Sequence, residues 1–228
     1  MIKKRSIQIL FLTIYCTLGV VGLLASLGLF GKHFNSNFYV YYTNLSNYIC
    51  LGFMFVSLVK VLKKGNNNEN GLIAFAPRFK FMCLIMILVT FLVYNIFLAK
   101  QSPIEDYFTS LTNLTLHVIL PLMFVVDWIL FYEHNSTHWS YPLLSLIMPL
   151  IYVAFIVIRG LIVDHKTTEV VYPYFFLDID TLGWGGFFLW LIGLVLAFVV
   201  IGYLLYIFDH IKEIKAKFAK KEDINAVK

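Results

Sequence analysis

Charged residues are scarce in this chain of 228 residues, of which Asp, Glu, Lys and Arg make up only 14% and hydrophobic residues 60%. A water-soluble domain needs a charged and polar surface around its core, so this composition excludes that class. Apolar runs of about 20 residues are long enough to cross a bilayer as helices. We therefore expect an integral membrane protein.

Cysteine is also scarce, with three residues at Cys16, Cys50 and Cys83, all inside apolar stretches. An odd number of thiols in such segments argues against a disulfide framework and against a thiolate metal site. The sequence therefore predicts no thiolate metal site, and we expect neither a metal nor a cofactor.

Long apolar runs, in contrast, are abundant. Six of them cover about 7–30, 38–62, 79–99, 108–132, 142–163 and 183–209. The first follows three basic residues, as in a signal peptide, but it is longer than the apolar part of a signal peptide, and no small-residue cleavage site follows it. The sequence predicts an all-α fold, in which residues 1–228 form a single transmembrane domain of six helices.

The basic residues indicate the orientation of this bundle, because 14 of the 18 Lys and Arg residues lie at the N-terminus, in the second connection or in the C-terminal region. They are Lys3, Lys4, Arg5, Lys60, Lys63, Lys64, Arg78, Lys80, Lys212, Lys215, Lys217, Lys220, Lys221 and Lys228. An even number of spans puts these regions on one side, which the positive-inside rule makes cytoplasmic. We expect both termini in the cytoplasm and the basic tail 210–228 near anionic lipid. The net charge of +5 then requires no nucleic-acid partner.

A polar phrase occurs twice within the apolar runs. The copies are Tyr42-Thr43-Asn44-Leu45-Ser46-Asn47 and Phe108-Thr109-Ser110-Leu111-Thr112-Asn113. On helices, Thr43, Ser46 and Asn47 share one face, whereas Thr109, Asn113 and His117 form a second polar stripe. Two interpretations stay open: hydrogen bonds that tie membrane helices together, or the lining of a functional site.

His117 favours a functional site, because imidazole exchanges a proton near neutral pH and ionisable groups in membranes commonly line sites. Pro121 removes a backbone donor four residues later, so a kink there would make room beside the histidine. If the two phrases lay at equal depth, His117 would sit about 12 Å below Thr43. Counted from charged residues instead, Thr43 is 17 residues before Lys60 and His117 is 16 before Glu133. We therefore expect the two side chains at similar depth.

The motif TNLSN in one span and the histidine of HVILPLMFVVDW in another resemble the androgen-induced membrane hydrolase family and its bacterial six-helix relatives. The Pro-Arg-Phe-Lys start of the third span and the loop YPYFFLD at 172–178 also resemble these relatives, and the similarity of layout covers most of the chain. Characterised members hydrolyse fatty-acid esters of hydroxy fatty acids with an intramembrane threonine nucleophile and a histidine base. The resemblance implies Thr43 as nucleophile, His117 as base, and membrane lipids or fatty-acyl esters as partners. It also implies a multi-pass protein of the bacterial cytoplasmic membrane.

Side-chain chemistry predicts the supporting residues. The carboxamide of Asn47 or Asn113 can donate hydrogen bonds to an oxyanion, and Ser46 shares the Thr43 face. Arg159, near the outer end of the fifth span, can bind a substrate carboxylate or reach lipid headgroups.

Residues beyond this set carry two further expectations. Asp127 lies ten residues past His117, about 15 Å along the helix, so we expect Asp127-Trp128 to anchor the inner interface and Tyr94 or Asn95 to orient the imidazole. The aromatic connection 164–182 is either an interfacial anchor or a lid over a cavity.

Three functions stay open. The first is a lipid-ester hydrolase, and the second is an acyltransferase in which an alcohol resolves the same acyl-enzyme. The third is a non-enzymatic small-solute transporter or membrane sensor.

Overall fold

A computed structural model of the chain describes residues 4–31, 34–63, 75–99 and 108–214. Within these ranges the regular structure is helical, and six helices are long and apolar enough to cross a membrane. They are α1 (Arg5–Ser26), α2 (Tyr42–Lys63), α3 (Pro77–Leu98), α4 (Leu111–Phe131), α5 (Tyr141–Ile162) and α6 (Ile179–Asp209). The predicted all-α fold, with six helices long and apolar enough to span a membrane, is thus confirmed for the described residues, while the sidedness of the termini stays a prediction. Residues 64–74 of the second connection and the tail beyond residue 214 lie outside the described residues.

Two of the helix boundaries that differ from the predicted spans have a clear local cause. α1 ends at Ser26, four residues early, because Gly28 takes a left-handed conformation with φ of 80°. α6 begins at Ile179, four residues early, because the Asp178 side chain caps it by accepting hydrogen bonds from Asp180 N and Thr181 N, both at 3.1 Å. Gly183, with φ of 64°, then kinks the first turn of α6.

α3 is the most buried of the six helices, with 56% of its most apolar stretch buried, whereas α6 has only 11% buried. α1 and α3 each pack against both α2 and α4 in a compact bundle, and α5 and α6 pack on each other and against α3. Small residues permit the close approaches, as membrane helices require. A Cβ at Gly22 of α1 would lie 2.7 Å from Thr115 Cγ2 on α4.

Asp127 and Trp128 do not anchor an interface, as the sequence had suggested, because each side chain is only 1% exposed. Asp127 Oδ2 lies 2.5 Å from Nζ of Lys80, which is itself buried, so α3 supplies the countercharge that lets the carboxylate leave water. The expected interfacial role is therefore wrong, and the ion pair of Lys80 and Asp127 instead joins α3 to α4.

The connection between α5 and α6 turns inward. A short 3₁₀ helix at Phe175–Leu177 buries Phe176 and Leu177, and Tyr174 just before it is also buried. The rings of Tyr174 and Phe176 stack in parallel, with centroids 5.1 Å apart. This part of the connection reaches the start of α2, where the Tyr174 hydroxyl meets the Thr43 N–H.

Candidate functional site

Thr43 lies in the first turn of α2 and is 9% exposed. Its Oγ1 is 3.1 Å from Nε2 of His117 on α4, a hydrogen-bonding distance. The two side chains therefore lie at the same depth, as counting from the charged helix ends predicted. The two polar phrases are correspondingly out of register, since His117 lies eight residues further along its span than the position equivalent to Thr43.

The imidazole is held on its face by an aromatic ring. Tyr94 of α3 stacks on His117 with ring centroids 3.6 Å apart and an interplanar angle of 16°. The backbone carbonyl of Asn113, one turn earlier on α4, also interacts with the imidazole, although no described atom meets Nδ1 with hydrogen-bond geometry. The orientation of the ring thus depends mainly on packing.

Both helices widen where these two rings meet. Tyr94–Leu98 of α3 and Thr115–Ile119 of α4 are π-helical, a local widening that is frequent at functional sites. In α4 the Leu120 N–H donates to the carbonyl of Thr115, five residues back.

Pro121 explains why two carbonyls of α4 need other donors. The Leu120 N–H donates to the Thr115 carbonyl and not to the Leu116 carbonyl, which it would meet in a regular α-helix. Pro121 has no N–H, so it cannot donate to the carbonyl of Leu116 or of His117. Asn47 Nδ2 of α2 donates to the Leu116 carbonyl at 3.2 Å, and Asn95 Nδ2 of α3 lies 3.5 Å from the His117 carbonyl. The predicted effect of Pro121 therefore takes the form of a π-helical turn that two neighbouring helices complete.

Asn47 and Ser46 make structural contacts. Asn47 Nδ2 also donates to the Thr43 carbonyl at 2.8 Å, so its amide hydrogens are bound to backbone oxygens and the expected oxyanion role has no donor left. Ser46 Oγ lies 2.8 Å from Thr90 Oγ1 of α3 and 3.0 Å from the Thr43 carbonyl. Both residues fix the first turns of α2, on which Thr43 is carried.

An apolar cleft reaches Thr43 from between α3, α5 and α6. Its empty volume is about 680 Å³, counting its open mouth. Leu150 lines it and is 43% exposed, so the cleft reaches the lipid-facing surface of the bundle. Its other walls include Val89, Val93, Leu146, Phe176 and Phe198.

A polar vestibule reaches Thr43 from the opposite side and has an empty volume of about 1000 Å³, again with its mouth. His117, Ser26, Asn35, Asn44, Thr112 and Asn113 line it. Four residues, Thr43, Tyr94, Leu98 and Tyr174, line both cavities, so the Thr43 hydroxyl stands where the apolar and polar spaces meet.

Tyr174 is the site residue that sequence reasoning missed. Its hydroxyl accepts a hydrogen bond from the Thr43 N–H at 3.4 Å across 131 residues of sequence. Only the crowding of aromatics in YPYFFLD marked the segment, and that pattern fits an interfacial anchor equally well.

Arg159 and Thr109 do not reach the site. The Arg159 guanidinium donates to the Val171 carbonyl at 2.7 Å and lies over the Tyr39 ring, 5.8 Å from its centroid, and it lines neither cavity. The expected contact with a substrate carboxylate is therefore not available in this geometry. Thr109, the equivalent of Thr43 in the second phrase, is exposed.

Comparisons with protein-family models, with curated proteins and with solved structures gave no match to this chain. The resemblance to the androgen-induced membrane hydrolases therefore stays a prediction from its motifs.

Proposed function

We propose that this chain is an intramembrane ester hydrolase in which Thr43 is the nucleophile and His117 the general base. One observation carries the proposal, namely the 3.1 Å contact between Thr43 Oγ1 and His117 Nε2 at the junction of an apolar and a polar cavity. A threonine hydroxyl is a weak nucleophile until an adjacent base takes its proton. The pair meets the geometric requirement for that transfer.

The reaction proceeds in two acyl-transfer steps. Thr43 Oγ attacks the ester carbonyl carbon while His117 Nε2 accepts the hydroxyl proton. The tetrahedral intermediate then collapses, the bond to the alkoxy oxygen breaks, and His117 returns the proton to the departing alcohol. Water next attacks the acyl-threonine with His117 again as base, which releases the carboxylic acid and restores the Thr43 hydroxyl.

The two cavities suit the two halves of such a substrate. The acyl chain enters the cleft from lipid. Because lipid is already an apolar solvent, the chain gains no hydrophobic free energy on entry, and the shape of the cleft selects it. The polar alcohol and the attacking water occupy the vestibule, whose amide and hydroxyl groups can hydrogen-bond to them. Polar substituents on the acyl chain near the ester would therefore weaken binding.

An acyltransferase is the second candidate, because the vestibule admits an alcohol as readily as water. Both reactions share the acyl-threonine and differ only in the acceptor. Product analysis with and without added glycerol or a long-chain alcohol separates them, since transfer yields a new ester at the expense of free acid.

Transport receives less support. About two to three turns beyond the site on α2 and α4, Cys50, Met54 and Phe124 are completely buried and line neither cavity. The packed layer separates both cavities from the Lys80–Asp127 end of the bundle.

The decisive experiment uses the purified full chain in lipid nanodiscs, an alkyl fluorophosphonate probe and a p-nitrophenyl acyl ester. We expect Thr43→Ala and His117→Ala to lose labelling and to lower ester turnover by roughly a thousandfold or more. Thr109→Ala, the matched change in the second polar phrase, should behave as wild type. Labelling that persists in Thr43→Ala would rule out this nucleophile, and an unlabelled, inactive wild type would direct attention to transport or sensing.

A further inference from the structure

An acyl-transfer site also needs a donor for the oxyanion of the tetrahedral intermediate. With the Asn47 amide bound to backbone carbonyls, the expected donor on α2 is lost. Ser46 is completely buried between α2 and α3 and lines neither cavity. Asn113, the other expected donor, lines the vestibule but not the cleft. The remaining candidates are hydroxyls that line both cavities beside Thr43, namely Tyr94, whose ring is stacked on His117, and Tyr174.

Tyr174 occupies that position. It lines the cleft and the vestibule, and its Oη is 3.4 Å from the Thr43 backbone nitrogen. A phenol has one O–H to donate and lone pairs to accept with. Here the oxygen accepts from the Thr43 N–H, and the hydroxyl also lies close to the Thr43 side chain, so the phenol is placed where the carbonyl oxygen of an ester under attack by Thr43 would lie.

The surroundings make this hydroxyl a strong donor. The Thr43 N–H donates to the phenolic oxygen from the first turn of α2, where backbone N–H groups have no helical acceptor, and the Tyr42 backbone lies close to the same oxygen. Donors to an oxygen polarise its own O–H, so the phenol donates more strongly than it would without these contacts. Burial raises the pKa of Tyr174 while the Thr43 and Tyr42 contacts oppose the shift. The net pKa lies above its ordinary value, which keeps the group protonated at neutral pH.

Packing also fixes the ring in advance. Phe176 stacks on one face at 5.1 Å, and Tyr41 meets it edge-on at 6.2 Å. Tyr174 is 9% exposed, so little rotational freedom remains to be lost when the charge develops. Such preorganisation gives an oxyanion donor its effect.

We propose that Tyr174 is a catalytic residue whose O–H donates a hydrogen bond to the carbonyl oxygen of the ester as Thr43 attacks. This proposal rests on the proposed hydrolase function. Negative charge moves from the attacking oxygen to the carbonyl oxygen in the tetrahedral intermediate and returns when the alcohol leaves. The hydroxyl of Tyr174 stabilises that charge without transferring its proton.

Tyr174→Phe removes the donor and keeps the ring. We expect kcat for the p-nitrophenyl ester to fall by about 10²- to 10³-fold with KM little changed. The matched control is Tyr172→Phe in the same loop, since the Tyr172 hydroxyl has no partner among the described residues and lines neither cavity. Thermal unfolding of both variants reports on folding.

A thionoester, in which sulfur replaces the carbonyl oxygen, distinguishes a donor from a structural residue, because sulfur accepts hydrogen bonds poorly. The wild type and Tyr172→Phe should hydrolyse the oxygen ester much faster than the thionoester, and this ratio should fall at least tenfold in Tyr174→Phe. A full rate in Tyr174→Phe, or a lower rate with an unchanged ratio, would overturn the proposal. If Tyr174→Phe fails to fold, 3-fluorotyrosine at position 174 replaces it, and an unchanged ratio there counts against the donor role.

The outcomes separate this inference from the function on which it rests. If Thr43→Ala abolishes turnover and Tyr174→Phe does not, the hydrolase stands and the oxyanion role fails. If the wild type neither binds the fluorophosphonate nor turns over ester, both fail together.

Discussion

Truncation of Asn47 tests how the π-helical turn of α4 is held. Asn47→Ala removes the bonds to the Thr43 carbonyl at 2.8 Å and the Leu116 carbonyl at 3.2 Å. Hydrogen bonds between membrane helices average about 0.6 kcal/mol and reach about 1.7, while a buried carbonyl left without a donor costs about 1–3 kcal/mol. We expect the free energy of unfolding to fall by about 2 kcal/mol. A looser α4 also misplaces His117, so ester turnover should fall by about 10- to 100-fold.

The Pro121→Ala background makes the prediction specific. Ala at position 121 supplies an N–H that can donate to the Leu116 carbonyl, five residues back, as Leu120 does to Thr115. In that background Asn47→Ala should cost about 1 kcal/mol less, which is a coupling of the size that neighbouring groups show.

The assay is SDS titration in mixed micelles of the wild type, both single variants and the double variant. Pro142→Ala, which alters a proline packed against Gly202 of α6, is the control and should add to Asn47→Ala without coupling. Strict additivity of Asn47→Ala and Pro121→Ala would refute the assignment of Asn47 as the substitute donor for Leu116.

Three further predictions concern packing and charge. Lys80→Met should lower the free energy of unfolding by about 3–5 kcal/mol, since it strands the Asp127 carboxylate in the bundle, and adding Asp127→Leu should restore most of it in the same SDS titration. Gly22→Ala should lower the unfolding temperature by several degrees, because its Cβ would overlap the π-helical part of α4, whereas Gly52→Ala meets no atom within 4 Å and should not. Arg159→Gln should leave ester turnover within about twofold of wild type, because the guanidinium lies off both cavities; a rise in KM of tenfold or more would return it to the substrate site.

The repeated polar phrase illustrates the reach of sequence reasoning at this site. Its cost in hydrocarbon marked Thr43 and the stripe ending at His117 without any structure. The repeat did not distinguish Thr43 from its equivalent Thr109. In the structure Thr43 faces His117, whereas Thr109 is exposed. That difference arises from the register of α2 against α4, which the charged helix ends indicated better than the repeat did.

Sequence alone determined the helical membrane fold, since apolar backbone in a bilayer must satisfy its hydrogen bonds internally and runs of this length do so as helices. It also determined that Pro121 would disturb α4 beside a polar cluster. The donors that repair this disturbance and the Lys80 partner of Asp127 depended on which helices lie side by side. The contact of Tyr174 with Thr43 depended on a loop that returns to Thr43 across 131 residues of sequence. Such contacts join side chains that no local periodicity relates, so only the tertiary structure decided them.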